Sequence, residues 1–163
     1  MRLPSSRSIA MRVSLIAACL LASACATGPV KRVSEPTARI QQLTVQANGQ
    51  WQIELRLENF SSIPMRFDSI DLGLALGGVD AGRLASSPAL TIGPESADTV
   101  STIVSPAVAG KLAAADALAA GRSVEYTLKG SLAATPDERK QRTFNLDRSS
   151  VLSPAPGLPG VLR

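Results

Sequence analysis

The sequence predicts an all-β sandwich of seven or eight short strands with one short crossover helix at about residues 107–120. Three observations lead there. Apolar and polar residues alternate in short runs, the pattern of strands with one buried and one wet face. Gly, Pro and Asn punctuate those runs every 8–12 residues or so. One alanine-rich segment alone carries helical spacing. Composition fits this picture: apolar residues make up 45% of the 163-residue chain and charged ones 18%, the balance of one packed domain.

Residues 1–24 hold Arg2, Arg7 and Arg12, no acidic residue, and the apolar run Val13–Ala24. A run of about 12 residues is too short to span a bilayer and matches a signal-peptide core. It ends in Leu20-Leu21-Ala22-Ser23-Ala24-Cys25, which resembles the bacterial lipobox, in which the cysteine is diacylated and becomes the new N-terminus. Ala22 stands where leucine is usual. Ile16-Ala17-Ala18-Cys19 fits the same pattern with an apolar core of only about six residues, and an ordinary cleaved signal with an incidental cysteine is the other alternative. Lipidation is expected at Cys25. Met11-Arg12 would by itself begin a complete signal. Ala26 follows Cys25, where an aspartate commonly retains such proteins in the inner membrane, so the expected location is the outer membrane, periplasmic face. Cleavage lowers Lys+Arg from 17 to 14 against 13 Asp+Glu, so most of the net charge of +4 belongs to the signal. A nearly neutral mature chain argues against nucleic acid as a partner.

Residues 25–37 mix Gly, Pro and charge without periodicity and read as a tether. The domain is expected over residues 38–151. Leu43, Val45 and Ala47 alternate with Thr44 and Gln46; Trp51, Ile53, Leu55 and Leu57 alternate with Gln52, Glu54, Arg56 and Glu58. Asn48-Gly49 between them tolerates positive φ and predicts a type I′ hairpin. Met65 and Phe67 continue in one phase and Ile70, Leu72, Leu74 and Leu76 in the other, so a β-bulge is expected near Asp68-Ser69. Gly77-Gly78 turns the chain into a strand at Val79–Leu84. Ala89–Ile92 and Thr99–Val104 flank Gly93-Pro94. The helix follows, with Ser105 as N-cap, Pro106 at the first helical position, and Val108, Leu112, Ala115 and Ala119 at helical spacing up to Gly121. Val124, Tyr126 and Leu128, then Phe144 and Leu146, mark the last strands. Residues 152–163 hold three prolines and two glycines and read as an irregular tail.

Several of these passages together resemble a known family. Leu55 to Met65, reading LRLENFSSIPM, is similar to the signature of the type 2 late-embryogenesis-abundant family, also called the water-stress and hypersensitive-response (WHy) domain: an alternating strand ending in Asn-Pro-Asn, then a proline and a second strand. Gly77 to Gly82 falls at the family's next hairpin, Pro94 in the turn after it, and Tyr126-Thr127-Leu128-Lys129-Gly130 matches a late Tyr-x-Leu-x-Gly strand. Asn59-Phe60-Ser61 replaces Asn-Pro-Asn. The resemblance spans about Arg39–Leu146. It implies an immunoglobulin-like or fibronectin-III-like sandwich, no cofactor, no catalytic site, and an association with desiccation.

The chemistry points the same way. With no histidine, the chain lacks Ser-His-Asp or Cys-His catalysis and His-ligated metal. No Ser-x-x-Lys spacing supports a Ser-Lys pair. Asp68, Asp71 and Asp80 are carboxylates of the kind that hold Ca²⁺, but no Asp-x-Asp-x-Asp-Gly loop joins them, and they read as solvated strand-end charges. Arg139-Lys140-Gln141-Arg142 is a basic hairpin tip or a face for anionic lipid. Asn59, Phe60 and Ile63 form the candidate contact loop, which either exposes Phe60 and Ile63 to a partner or packs them over the end of the sandwich, the favoured alternative. No catalytic, cofactor or metal residue is expected. The expected function is that of a lipid-anchored, non-enzymatic envelope protein that binds or protects during water stress, with the membrane as partner through its anchor. The alternative is a periplasmic adaptor or assembly lipoprotein that works through an exposed strand edge.

Overall fold

A computed structural model describes residues 31–163 of the chain; the expected signal peptide, Cys19, Cys25 and the first part of the expected tether lie outside the described residues. Among the described residues two antiparallel sheets pack face to face. The first has the order β6-β2-β1-β9 and is built from β1 (Thr37–Val45), β2 (Trp51–Asn59), β6 (Ser96–Val104) and β9 (Val161–Leu162). The second has the order β4-β3-β7-β8, from β3 (Met65–Leu76), β4 (Val79–Ser86), β7 (Val124–Pro136) and β8 (Arg142–Leu152), with β5 (Leu90–Ile92) pairing the start of β3. Helix α1 (Val108–Ala120) carries the chain from the first sheet to the second. The expected all-β sandwich with a crossover helix is what the chain forms.

Period two explains the core. In β2 every second residue from Trp51 to Asn59 is buried. Burial of this apolar face, at about 25 cal/mol per Å², is the main force holding the sheets together. In β3, Met65 and Phe67 are buried in one phase and Ile70, Leu72, Leu74 and Leu76 in the other; the register against β7 shifts between Phe67 and Ser69. The expected bulge is therefore present, with Asp68 as the extra residue. A second bulge, not anticipated, sits in β1. There the register shifts between Ile40 and Gln42, so Ala38 and Ile40 on one side of it and Leu43 on the other all point inward.

One of the two expected glycine turns differs in type. The hairpin at Asn48-Gly49 exists, but only Gly49 has positive φ (80°), and its amide donates to the Gln46 carbonyl across a three-residue loop. A type I′ turn needs positive φ at both central residues. That condition is met instead at Gly77-Gly78 (59° and 81°), between the paired residues Leu76 and Val79.

The helix also departs from expectation. Its N-cap is Ala107, not Ser105, and no side chain caps it. Its C-terminus ends as expected at Gly121, with Gly121 and Arg122 amides donating to Leu118 and Ala117 carbonyls. Its buried residues are Gly110, Ala114 and Ala117, whereas Val108, Leu112, Ala115 and Ala119 face outward. The reason is close approach. A Cβ on Gly110 would lie 2.6 Å from Ala81 of β4, so the face with the smallest residues lets the helix sit down on the sheet.

The tail is not irregular throughout. Leu162 is fully buried, β9 pairs with Leu43 and Thr44 of β1, and Ser153 and Arg163 exchange backbone hydrogen bonds that close the loop between them. Within the sandwich, Tyr126 of β7 accepts the Ile40 amide at 3.1 Å through its buried hydroxyl, tying one sheet to the other. Gly130 pairs with Leu72, where a Cβ would fall 2.2 Å from the Asp71 carbonyl oxygen; only glycine fits.

Candidate functional site

The alternation of β2 carries Asn59 onto the buried face, in step with Leu55 and Leu57. An amide buried there must find partners or destabilise the fold. It finds four. Its Nδ2 donates to the carbonyls of Ile63 (2.9 Å), Gly93 (2.9 Å) and Ile92 (3.2 Å), and its Oδ1 accepts the Ser61 amide at 2.9 Å. One side chain thus holds the β2–β3 loop against the β5–β6 turn. The Glu95 amide adds a bond to the Ser61 carbonyl, and the Asp137 amide one to the Pro64 carbonyl.

The same loop receives the N-terminal segment. Arg32 donates its amide to Ser62 Oγ (2.8 Å) and accepts the Ser62 amide (3.0 Å), and Ser34 donates its amide to the buried Ser61 Oγ at 3.0 Å. Arg32 also reaches the Phe60 carbonyl and, at 3.2 Å, Glu95; Lys31 pairs with Glu138. Residues 31–34 are thus bound to one end of the sandwich and are not a free part of the tether.

Of the expected contact residues, Phe60 alone is exposed, at 47%. Ile63 is buried at 6% and Asn59 at 1%, so of the two apolar residues Ile63 packs into the end of the sandwich and Phe60 does not. The Asn59 amide draws the Ile63 carbonyl inward, and the side chain follows into the end of the core.

The three aspartates are separate. Asp68, at the bulge, accepts from Arg66 Nε (2.6 Å), Thr135 Oγ1 (2.6 Å) and Gln141 Nε2 (3.0 Å). Desolvation pushes its carboxyl up, but the bonds from Thr135, Gln141 and Arg66 outweigh this and hold it below the usual aspartate value. Asp71 is gripped by Arg83 through both guanidinium and carboxylate ends, which lowers it as well. Asp80 Oδ1 accepts the Gly82 amide at 3.0 Å. Among the described residues no cluster of three or more Asp, Glu, Cys or His side chains is arranged to hold a metal. The basic run Arg139–Arg142 ends the β7–β8 turn beside Pro64 and begins β8, and the Arg142 guanidinium lies 5.5 Å from the Phe144 ring centroid. Composition offered no sign of one further feature: an open, largely apolar groove of about 590 Å³ between α1 and the β1–β2 hairpin, lined by Val45, Trp51, Ala114, Leu118 and Pro159. It joins residues more than a hundred positions apart, so no local motif announces it.

The described residues form an antiparallel sandwich in which Asn59 and Tyr126 serve hydrogen bonding and Gly130 close packing. The chain belongs to the late embryogenesis abundant family, type 2: the family model of the late embryogenesis abundant protein matches residues 54–149. No curated protein matches the chain. Among solved structures, a protein from Archaeoglobus fulgidus is similar at 15% identity and a TM-score of 0.43, covering 76% of this chain and 98% of that one. The protein AT1g01470 from Arabidopsis thaliana is similar at 14% identity and a TM-score of 0.47, covering 78% and 82%.

Proposed function

We propose that this protein is a lipid-anchored, non-enzymatic member of its family in the cell envelope, on the periplasmic face of the outer membrane, where its sandwich binds or protects envelope components during water stress. What carries this reading is the family match over residues 54–149 in a chain whose residues 20–25 read LLASAC. Acylation gives the physical basis of anchoring, since each buried methylene contributes about 0.8 kcal/mol and several chains together hold firmly. Two measurements test it. Label from a palmitate analogue is expected on the wild-type chain and lost in Cys25→Ser; retained label would move the anchor elsewhere. Cells lacking the protein are expected to survive drying less well, and equal survival would remove the stress role.

A specific feature favours a second reading, the adaptor. Among the described residues β6 pairs only with β2, which leaves its other edge at the margin of the sheet, and Ile103 on it is 51% exposed. A strand edge of that length is a template for an added strand. Crosslinking followed by purification decides between the two: a stoichiometric partner that is lost in Ile103→Glu supports the adaptor.

A further inference from the structure

The two ends of the sandwich differ in chemistry, and the anchor selects between them. The N-terminal residues 31–34 are bound to the end that carries the 60–64 loop, the 93–95 turn and the 137–141 turn. The helix lies at the other end, where Gly110 comes close to the ring of Trp51 at the start of β2. Nine residues of β2 separate the ends by about 26 Å.

We infer that the end bearing Phe60 and the Arg139–Lys140 turn rests on the anionic surface of the same membrane that holds Cys25. This deepens the anchoring reading above and depends on it. Lys31 is the sixth residue after Cys25, and a fully extended chain covers at most about 3.3–3.6 Å per residue. Lys31 therefore stays within about 20 Å of the acylated cysteine, while the helix end projects away from the bilayer. The end held near the surface is suited to it. Phe60 stands 47% exposed at the tip of its loop, an aromatic ring of the kind that enters the headgroup boundary. Around it, Lys31 and Arg32 are matched by Glu138 and Glu95. The 137–141 turn and the start of β8 add Arg139, Lys140 and Arg142 against Asp137, a basic cluster at one corner of an end that also carries Glu58 and Asp68. Such a cluster close to a headgroup layer is attracted to anionic lipid.

The test uses the full-length acylated protein, purified and reconstituted into vesicles of phosphatidylethanolamine containing phosphatidylglycerol. With Cys25 acylated and Cys19 removed with the signal, Phe60→Cys and Leu112→Cys each offer one free thiol for an environment-sensitive fluorophore. Both positions are exposed, so the fold tolerates them, and thermal melting checks this. The fluorophore in Phe60→Cys is expected to shift to the blue and to lose intensity to a lipid-borne quencher, while that in Leu112→Cys stays wet. Adding Arg139→Glu and Lys140→Glu should weaken the shift, and only in vesicles containing phosphatidylglycerol. A water-like signal at both positions, or quenching at Leu112→Cys instead, overturns the proposal while leaving the anchor intact. Mass spectrometry that finds no acyl group on Cys25 overturns the anchoring reading and this proposal with it.

Discussion

Asn59 and Phe60 are neighbours with opposite roles, and substitution separates them. Asn59→Ala strands the Ile63 and Gly93 carbonyls and the Ser61 amide in the interior; at about 1–3 kcal/mol for an orphaned buried group, a loss of about 3 kcal/mol is expected in urea unfolding. Phe60→Ser should shift the midpoint little, because half of the ring is already in water. Equal losses would mean that the loop is held by the ring and not by the amide. Asp68 supplies a pH test. Its folded pKa is depressed, so its contribution is complete above the ordinary aspartate value of about 3.9 and is lost as pH falls below it through the folded value. Wild-type stability should therefore drop more steeply than that of Asp68→Asn between neutral pH and about pH 3. Parallel curves would refute the role of the Thr135 and Gln141 bonds. The sequence marked both positions, Asn59 as the kept residue of a motif and Asp68 at a change of phase. Ser61, Ile63 and Arg66 are near neighbours among their partners, whereas Ile92, Gly93, Thr135 and Gln141 come from β5, β7 and distant turns, which no local pattern names.

Elements with period two were legible because a one-residue error would turn a whole face from oil to water. The bulge in β3 shows this: the phase change appears in the residues themselves, and the register shift follows at the same place. The bulge in β1 escaped because Thr37–Gln42 offers too few apolar residues to reveal a phase. The helix shows the limit of periodicity in another way. Val108 and Leu112 share an outward stripe, but the docked face carries Gly110, Ala114 and Ala117 with Leu118 packed at its edge, and which face docks depends on the shape of β4. Gly110→Ala must push α1 off Ala81 and is expected to cost about 1–3 kcal/mol despite the better helix propensity of alanine. Leu112→Gln, on the wet face, should stay within about 0.5 kcal/mol. The reverse order in chemical unfolding would place the helix the other way round.

At the scale of the whole molecule, closure of the sandwich draws on both ends of the described chain. Residues 31–34 bind the loop after β2, and residues 161–162 complete the edge of β1. Removing residues 153–163 uncovers Leu43 and deletes the buried Leu162, so the truncated protein should melt several degrees lower, consistent with about 2–5 kcal/mol for a lost core leucine. An unchanged melting temperature would make β9 dispensable. By itself the sequence determined the all-β class, the strand phases, the Asp68 bulge, the glycine at the helix end and the family, because each is written in neighbours along the chain: side-chain alternation, φ preference, ordered motifs. Only the tertiary structure decided that Ile63 is buried, that the helix docks on its smallest residues, that the proline-rich tail returns as a strand, and that the two glycines of Gly77-Gly78 make the type I′ turn. Each of these depends on what lies across the fold at contact distance, and close packing admits one arrangement there that local preference cannot distinguish from its alternatives.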